Sequence, residues 1–284
     1  MESGILMNIS EFTVHDGPGV RATAFLKGCP LRCTWCHNPE GQRFAPELMV
    51  RTASCTGCGN CRNVCPHPEG CTACGLCTEV CPNGLRKIMG ERLTSAALAD
   101  RMRRGAALFA ASGGGVTFSG GEPLAQPAFL FETLDRLSDL HRAVETSCCA
   151  PPEVFTALLS RTEYIFADLK IFDSALHEKY TGRPNEEILG NIERLKQSGL
   201  PYCIRIPLIP GVNDTEENME QTAAFLAKGG VGGLDRVELL PYNRGASAKY
   251  PMLGRKYALG FDPARPPRTE FSAFSKYAIR SVVL

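Results

Sequence analysis

Short apolar runs alternate with amphipathic stretches along most of the chain. The apolar runs predict six strands, at residues 21–28, 115–119, 142–147, 164–169, 202–208 and 236–240. The amphipathic stretches predict helices at residues 93–109, 127–140, 151–160, 185–198 and 214–228. Strands that are separated by helices form right-handed parallel units. Six such units are too few to close an eight-stranded barrel, so the pattern predicts an α/β fold, an open partial (β/α)6 barrel.

Residues 44–89 interrupt this alternation and hold most of the cysteines. We therefore predict two domains. A discontinuous barrel would comprise residues 1–43 and 90–284, and a small α+β domain, residues 44–89, would be inserted into it. At the other end of the chain, residues 267–284 predict a last helix and a strand that packs on the barrel edge.

Candidate functional groups follow each predicted strand. They are Cys29, then residues 119–123, 145–147, 168–170, 205–211 and 240–243. The carboxyl ends of parallel strands meet at one rim of such a fold, and sites form there. The sequence therefore predicts that all six groups line one site.

Composition narrows the possible classes of protein. The chain has 284 residues, of which 44% are hydrophobic and 21% charged, and its net charge is +1. That balance indicates neither a nucleic acid nor a membrane as partner. The first twelve residues are too short and too polar for a signal peptide, and no run has membrane-spanning length. We expect a cytoplasmic protein that is a monomer.

Fourteen cysteines in a cytoplasmic chain of this size favour metal ligands over disulfides. Eight of them repeat one spacing twice: Cys55, Cys58, Cys61 and Cys65, then Cys71, Cys74, Cys77 and Cys81, with a proline after each fourth cysteine. This is the bacterial ferredoxin run, in which the fourth cysteine of each run binds the other cluster. We therefore predict one 4Fe–4S cluster on Cys55, Cys58, Cys61 and Cys81, and another on Cys71, Cys74, Cys77 and Cys65. Paired zinc sites are the alternative, although zinc pairs seldom repeat this spacing.

Three more cysteines, Cys29, Cys33 and Cys36, stand together without a fourth. A metal site with three thiolates keeps one coordination position open, as catalytic metal sites do. The alternative is a ferredoxin-type run that has lost a ligand. The last three cysteines, Cys148, Cys149 and Cys203, are scattered, and we interpret them as small buried side chains.

Two motifs at the rim are ambiguous by themselves. Gly120, Gly121 and Glu122 allow a ligand to approach the backbone closely, but they are equally typical of an ordinary turn between a strand and a helix. Asp168 and Lys170 lie on one side of a strand, where they could bind a ligand or form a surface ion pair.

The spacing Cys-x3-Cys-x2-Cys resembles the signature of the radical S-adenosylmethionine (SAM) superfamily. The resemblance implies a 4Fe–4S cluster whose open iron binds SAM. Longer stretches closely resemble the activating enzymes of glycyl radical enzymes, among them HDGPGVRATAFLKGCPLRCTWCHNPEG, VTFSGGEPL, VETS, IRIPLIPGVND and ELLPYNRGASAKY. The insert resembles the ferredoxin-like domain of the subgroup that carries two additional clusters.

The resemblance implies a role for individual residues. It implies SAM-binding roles for Trp35, Cys36, His37, Gly120, Gly121, Glu122, Asp168, Leu169, Lys170, Arg205 and Asn243. It also implies a monovalent-cation site formed by Glu145, Thr146, Asp168 and the backbone of Phe166. The turn of Asp16, Gly17, Pro18 and Gly19 would meet the glycine loop of the partner. Asn243 departs from the family, which has a histidine there.

The implied function is an activase. It would reductively cleave SAM to a 5′-deoxyadenosyl radical, with flavodoxin or ferredoxin as reductant, and remove a Cα hydrogen from a glycine of a glycyl radical enzyme. One alternative is a radical SAM enzyme that acts on a small molecule or peptide, with the extra clusters as substrate sites. Each insert cluster has four cysteines, however, which leaves no open iron. The other alternative is an iron–sulfur electron carrier.

Overall fold

The computed structural model describes all 284 residues, with eleven strands in two sheets. The strands are β1 Ser3–Thr13, β2 Arg21–Leu26, β3 Glu47–Val50, β4 Arg86–Met89, β5 Glu91–Thr94, β6 Gly115–Gly120, β7 His141–Thr146, β8 Tyr164–Asp168, β9 Tyr202–Leu208, β10 Leu234–Pro241 and β11 Ser281–Val283. Nine of them form one sheet in the order β11-β10-β9-β8-β7-β6-β2-β1-β5. The other two, β3 and β4, form a separate antiparallel pair.

The six predicted strands are β2 and β6 to β10, and they run parallel in chain order. The α/β partial barrel is therefore confirmed. The C-terminal strand β11 pairs in parallel with β10 and extends the barrel edge, as predicted. Two strands of the main sheet were not predicted: β1 pairs antiparallel with β2, and β5 pairs antiparallel with β1.

Eleven helices surround the sheets. They are α1 Asn60–Asn63, α2 Leu76–Glu79, α3 Ser95–Met102, α4 Ala106–Ser112, α5 Pro127–Arg136, α6 Pro152–Leu159, α7 Ser174–Thr181, α8 Glu186–Ser198, α9 Glu216–Ala227, α10 Lys249–Met252 and α11 Ala273–Lys276. The single helix predicted at residues 93–109 was wrong in its extent. Residues 93 and 94 belong to β5, and a 3-10 turn at Arg103–Gly105 separates α3 from α4. Gly105 favours this break because glycine is a poor helix former. None of these helices has the length and apolar character to cross a membrane.

The two faces of the main sheet differ in character. One face packs against the helices and belongs to a core of 46 buried residues, among them Leu26, Phe118 and Ile204. The other face forms the barrel interior, because side chains alternate along a strand. It carries polar side chains that bond to each other across strands, and a small buried cluster of Ala143, Tyr164, Phe166 and Cys203.

The segment of residues 44–89 has little apolar core of its own. Its helices α1 and α2 have one turn each, and each follows a glycine in the left-handed region, Gly59 and Gly75. The segment is joined to the barrel by a buried ion pair of 2.9 Å between Lys27, which directly follows β2, and Glu47 of β3. Arg255 also bonds Glu47, at 2.5 Å. The domain boundaries and the ferredoxin-like identity stay predictions.

Candidate active site

A cavity of about 360 Å³ opens at the carboxyl ends of the parallel strands. The six groups predicted to share one rim all contribute residues to its wall. Its lining includes Cys29, Cys33, Cys36, Trp35, His37, Ser119, Gly120, Gly121, Glu145, Thr146, Asp168, Lys170, Arg205, Pro207, Ile209, Leu240 and Tyr242. The structure therefore brings together most of the residues that the sequence singled out.

The three cysteines lie on a loop that follows β2 and is fixed by α7. The backbone N–H groups of Arg32 and Thr34 donate to the carbonyls of Thr181 and Tyr180, at 2.7 and 3.0 Å. Burial raises the pKa of all three thiols, and raises that of Cys33 to about 12. Buried thiols of this kind bind metal as thiolates and release their protons when they do so.

Cys29, Cys33 and Cys36 line the same cavity and offer it three thiolate ligands, a soft donor set that suits an iron–sulfur cluster. A zinc ion draws its thiolates to about 2.3 Å from one centre, whereas each thiolate of an iron–sulfur cube binds a different iron. Cys29, Cys33 and Cys36 therefore fit an open 4Fe–4S cluster.

Gly120 and Gly121 permit close contact between this loop and β6. A Cβ on Gly120, whose φ is +123°, would lie 2.2 Å from the carbonyl oxygen of Leu26. A Cβ on Gly121 would lie 2.4 Å from the carbonyl oxygens of both Gly28 and Gly41. The two glycines thus hold the cysteine loop against the end of β6, in addition to lining the cavity.

Glu122 does not line the cavity. Its side chain is fully buried, and its carboxylate accepts four hydrogen bonds. The donors are the backbone N–H groups of Leu124 and Ser147, at 3.1 and 2.8 Å, and the hydroxyls of Thr146 and Ser147, at 2.8 and 2.5 Å. Burial raises the pKa of Glu122, and these donors oppose that shift. The contact of Glu122 with SAM stays a prediction that these bonds do not favour, and in this structure the residue joins the ends of β6 and β7.

Arg205 lies at the centre of a charged network in the barrel interior. Its guanidinium donates to Glu145 and, at 2.7 Å, to Glu238. It also donates to the carbonyl of His15, at 2.8 Å, and lies 3.9 Å from the ring centre of Phe166. Burial alone would lower the pKa of Arg205, but the carboxylates of Glu145 and Glu238 outweigh burial and raise it. Arg205 thus ties the cavity to the N-terminal loop.

The oxygens predicted to hold a monovalent cation are already bonded. Glu145 bonds Arg205 and also accepts from Ser119 at 2.5 Å, and Thr146 bonds Glu122. Asp168 accepts from Lys170 at 2.7 Å. Phe166 is buried in the central strand β8. The cation site stays a prediction that these contacts do not favour.

Leu169 and Asn243 also lie away from the lining of the cavity. Leu169 is buried in the apolar core. Asn243 is exposed, and its side chain accepts a hydrogen bond from the backbone N–H of Gly245, at 2.8 Å. The preceding residue, Tyr242, lines the cavity instead of Asn243. The sequence pattern included Tyr242 and Ser119 in the candidate groups at the strand ends but predicted no individual role for either.

The loop of residues 14–20 precedes β2 and is anchored on the barrel interior. The Thr23 hydroxyl donates to the Asp16 carboxylate at 2.7 Å, and Arg21 donates to the carbonyl of Pro18 at 2.9 Å. A Cβ on Gly19, whose φ is +63°, would meet the backbone of Gly114 at 2.4 Å. The conformation of the turn is thus fixed before any partner binds.

The insert contains two further cavities that sort its cysteines into two sets. One, of about 160 Å³, is lined by Cys55, Cys58, Cys61 and Cys81. The other, of about 430 Å³, is lined by Cys65, Cys71, Cys74 and Cys77, and also touches Cys61. These are the two sets that the ferredoxin spacing predicts.

Comparison with known proteins decides the family. Residues 23–226 match the model of the radical SAM superfamily. The isethionate sulfite-lyase activating enzyme of Nitratidesulfovibrio vulgaris is 37% identical over 280 residues, covering 91% of this chain and 90% of that one. The trans-4-hydroxy-L-proline dehydratase activating enzyme of Clostridioides difficile is 36% identical over 271 residues, covering 89% of each chain. This chain belongs to the glycyl radical enzyme activating enzymes of the radical SAM superfamily.

This activating enzyme therefore uses a 4Fe–4S cluster and SAM, and it acts on a partner glycyl radical enzyme. Such an enzyme reductively cleaves SAM to a 5′-deoxyadenosyl radical, which removes a Cα hydrogen from a glycine of the partner. A solved radical SAM methyltransferase of Sphaerobacter thermophilus has a TM-score of 0.51 and 14% identity, covering 98% of this chain and 76% of that one. That likeness concerns the fold alone.

Proposed function

We propose that this activating enzyme binds three 4Fe–4S clusters, one open and two closed. The open cluster is held by Cys29, Cys33 and Cys36, whose thiols share one cavity wall. The closed clusters are held by the two sets of four cysteines that line the insert cavities. Agreement between these cavities and the exchange of fourth cysteines in bacterial ferredoxins supports the assignment.

SAM occupies the barrel cavity beside the three cysteines. Lys170 supplies a positive charge for the carboxylate of SAM, and Asp168, bonded to Lys170 at 2.7 Å, fixes its orientation. Burial opposes the charged form of Lys170, but Asp168 and the nearby cysteines raise its pKa, so it stays an ammonium. Trp35, His37 and Tyr242 offer aromatic surfaces to the adenine. Leu31, Ile209 and Leu240 make the wall partly apolar, which limits the access of water.

The glycine loop of the partner meets the turn of Asp16, Gly17, Pro18 and Gly19. Support comes from Arg205, which lines the SAM cavity and bonds the carbonyl of His15, next to this turn. A partner glycine held there would lie beside the cavity where the radical forms. The relatives are named for different partner enzymes, an isethionate sulfite-lyase and a trans-4-hydroxy-L-proline dehydratase.

The insert clusters relay electrons from flavodoxin or ferredoxin to the open cluster. The chain enters the insert just after the cysteine loop and returns before β6, and the ion pair of Lys27 with Glu47 joins the insert to the end of β2. No disulfide joins any of the fourteen cysteines, and we propose that the enzyme works in the reducing cytoplasm. We propose that the enzyme acts as a monomer.

One observation carries this proposal: three buried or half-buried thiols without a fourth share a cavity with the groups at the strand ends. The test mixes the reconstituted enzyme, SAM and a reductant with the glycyl radical enzyme encoded beside it. We expect 5′-deoxyadenosine together with a glycyl doublet in the EPR spectrum of the partner. If 5′-deoxyadenosine forms while the partner stays without a radical, a small-molecule or peptide substrate is favoured. If none forms, the chain is an electron carrier.

A further inference from the structure

Two arginines stand between the cavities of the insert. Arg62 of α1 and Arg86 of β4 each line both cavities, as does Cys61. No carboxylate lines either cavity. The positive charge at this boundary is therefore not balanced by an acidic group of the cavity walls.

Arg86 is the more enclosed of the two. It pairs with Val50 in the two-stranded sheet and is partly buried, whereas Arg62 is exposed on a one-turn helix. Arg86 lines one cavity together with Cys77 and the other together with Cys81, and Cys61 lines both. Cys61 and Cys81 belong to one predicted ligand set and Cys77 to the other. Water screens a partly buried charge less than an exposed one, so Arg86 acts more strongly on its surroundings.

We propose that Arg86 is a shared potential-setting residue, which raises the reduction potentials of both insert clusters together. This inference rests on the proposed pair of closed clusters. Each cluster gains one negative charge on reduction, and a nearby fixed cation stabilises the reduced form more than the oxidised form. Since one guanidinium borders both cavities, its removal makes both clusters harder to reduce.

The test is an anaerobic redox titration of the reconstituted full-length enzyme, monitored by EPR. Added SAM perturbs the open cluster and so distinguishes its signal from those of the insert. We expect Arg86→Gln to disfavour reduction of both insert clusters by roughly tenfold each, which is about 59 mV for a one-electron couple. Arg86→Lys keeps the charge, and the equilibrium constant for reduction of each insert cluster should stay within about threefold of the parent value.

Lys87→Gln is the matched control. It removes the same charge from the neighbouring residue of β4, which is exposed and lines neither cavity. The equilibrium constant for reduction of each insert cluster should stay within about twofold of the parent value. Unchanged potentials in Arg86→Gln, a shift of one cluster only, or an equal shift in Lys87→Gln would each overturn the proposal.

If Arg86→Gln fails to bind iron, its potentials cannot be measured, and Arg62→Gln is measured instead. In this variant the equilibrium constant for reduction of each insert cluster should fall by about threefold. Unchanged potentials in it would overturn the proposal. Iron analysis of the parent separates this inference from the proposed function. If the insert of the parent binds no iron, the cluster assignment fails, whereas iron with potentials insensitive to Arg86 refutes only the role of Arg86.

Discussion

The cysteines of the barrel and those of the insert lie in different surroundings. Cys29, Cys33 and Cys36 are buried or half-buried on a loop that a nine-stranded sheet and α7 hold in place. In the insert, Cys55, Cys58, Cys65, Cys71 and Cys74 are exposed, and the chain around them forms turns and two one-turn helices. We therefore expect that the polypeptide shapes the open site by itself, and that the insert depends on its proposed clusters for a fixed structure.

The largest effect is expected at the open site. Replacing Cys29, Cys33 and Cys36 by alanine removes every thiolate that the barrel offers to a cluster. We expect about eight of about twelve irons to remain and all cleavage of SAM to cease. Iron analysis and chromatography of 5′-deoxyadenosine measure the two outcomes. Continued formation of 5′-deoxyadenosine by this variant would mean that the open cluster lies elsewhere.

Removal of iron tests directly whether the barrel and the insert differ in their dependence on metal. After chelation of iron from the parent protein, we expect the backbone amides of residues 55–81 to lose their protection from hydrogen exchange. Amides of β6 to β9 should keep theirs, because their hydrogen bonds lie within the sheet. Hydrogen exchange followed by mass spectrometry separates the two regions. Equal protection of the insert with and without iron would show that it folds without metal.

Glu122→Gln distinguishes a structural role from a role in binding SAM. The carboxylate of Glu122 now accepts four hydrogen bonds through its two oxygens. In glutamine an NH2 group, which is itself a donor, replaces one of these oxygens, so the buried donors on that side lose their acceptor. We expect the free energy of unfolding of the iron-free protein to fall by about 2–3 kcal/mol, measured in urea.

Glu153 offers the control for this substitution, because it is an exposed glutamate in the first turn of α6. Glu153→Gln should change the free energy of unfolding by less than about 0.5 kcal/mol. An unchanged stability in Glu122→Gln, combined with a raised KM for SAM, would restore the ligand role that the sequence pattern implied.

The smallest effect is expected at Asn243. This side chain is exposed and caps a 3-10 turn, and it lies outside the lining of the cavity. Asn243→His should therefore keep the rate of SAM cleavage within about tenfold of the parent, since the position offers no proton transfer. A loss of more than about a thousandfold in a correctly folded variant would assign Asn243 a role in the reaction.

The sequence predicted the parallel strands well because buried strands form continuous apolar runs between helices. It missed β1, whose strand character depends on pairing with β2, and α7, whose amphipathic pattern is weak. The cysteine sets were predictable because ligand spacing is local. The surroundings of Glu122 were not, because Thr146 and Ser147 reach it from the next strand. Motifs thus identified the site, whereas the contacts within it required the fold.

The central claim is that the barrel cleaves SAM while the insert delivers the electron for this reaction. Its most direct test compares two reductants in a variant that carries both Cys58→Ala and Cys74→Ala, with 5′-deoxyadenosine formation as the readout. Dithionite is small enough to reach the barrel cavity, whereas a protein reductant depends on the insert. The account predicts a much larger loss with flavodoxin or ferredoxin than with dithionite. Equal losses with both reductants would contradict it.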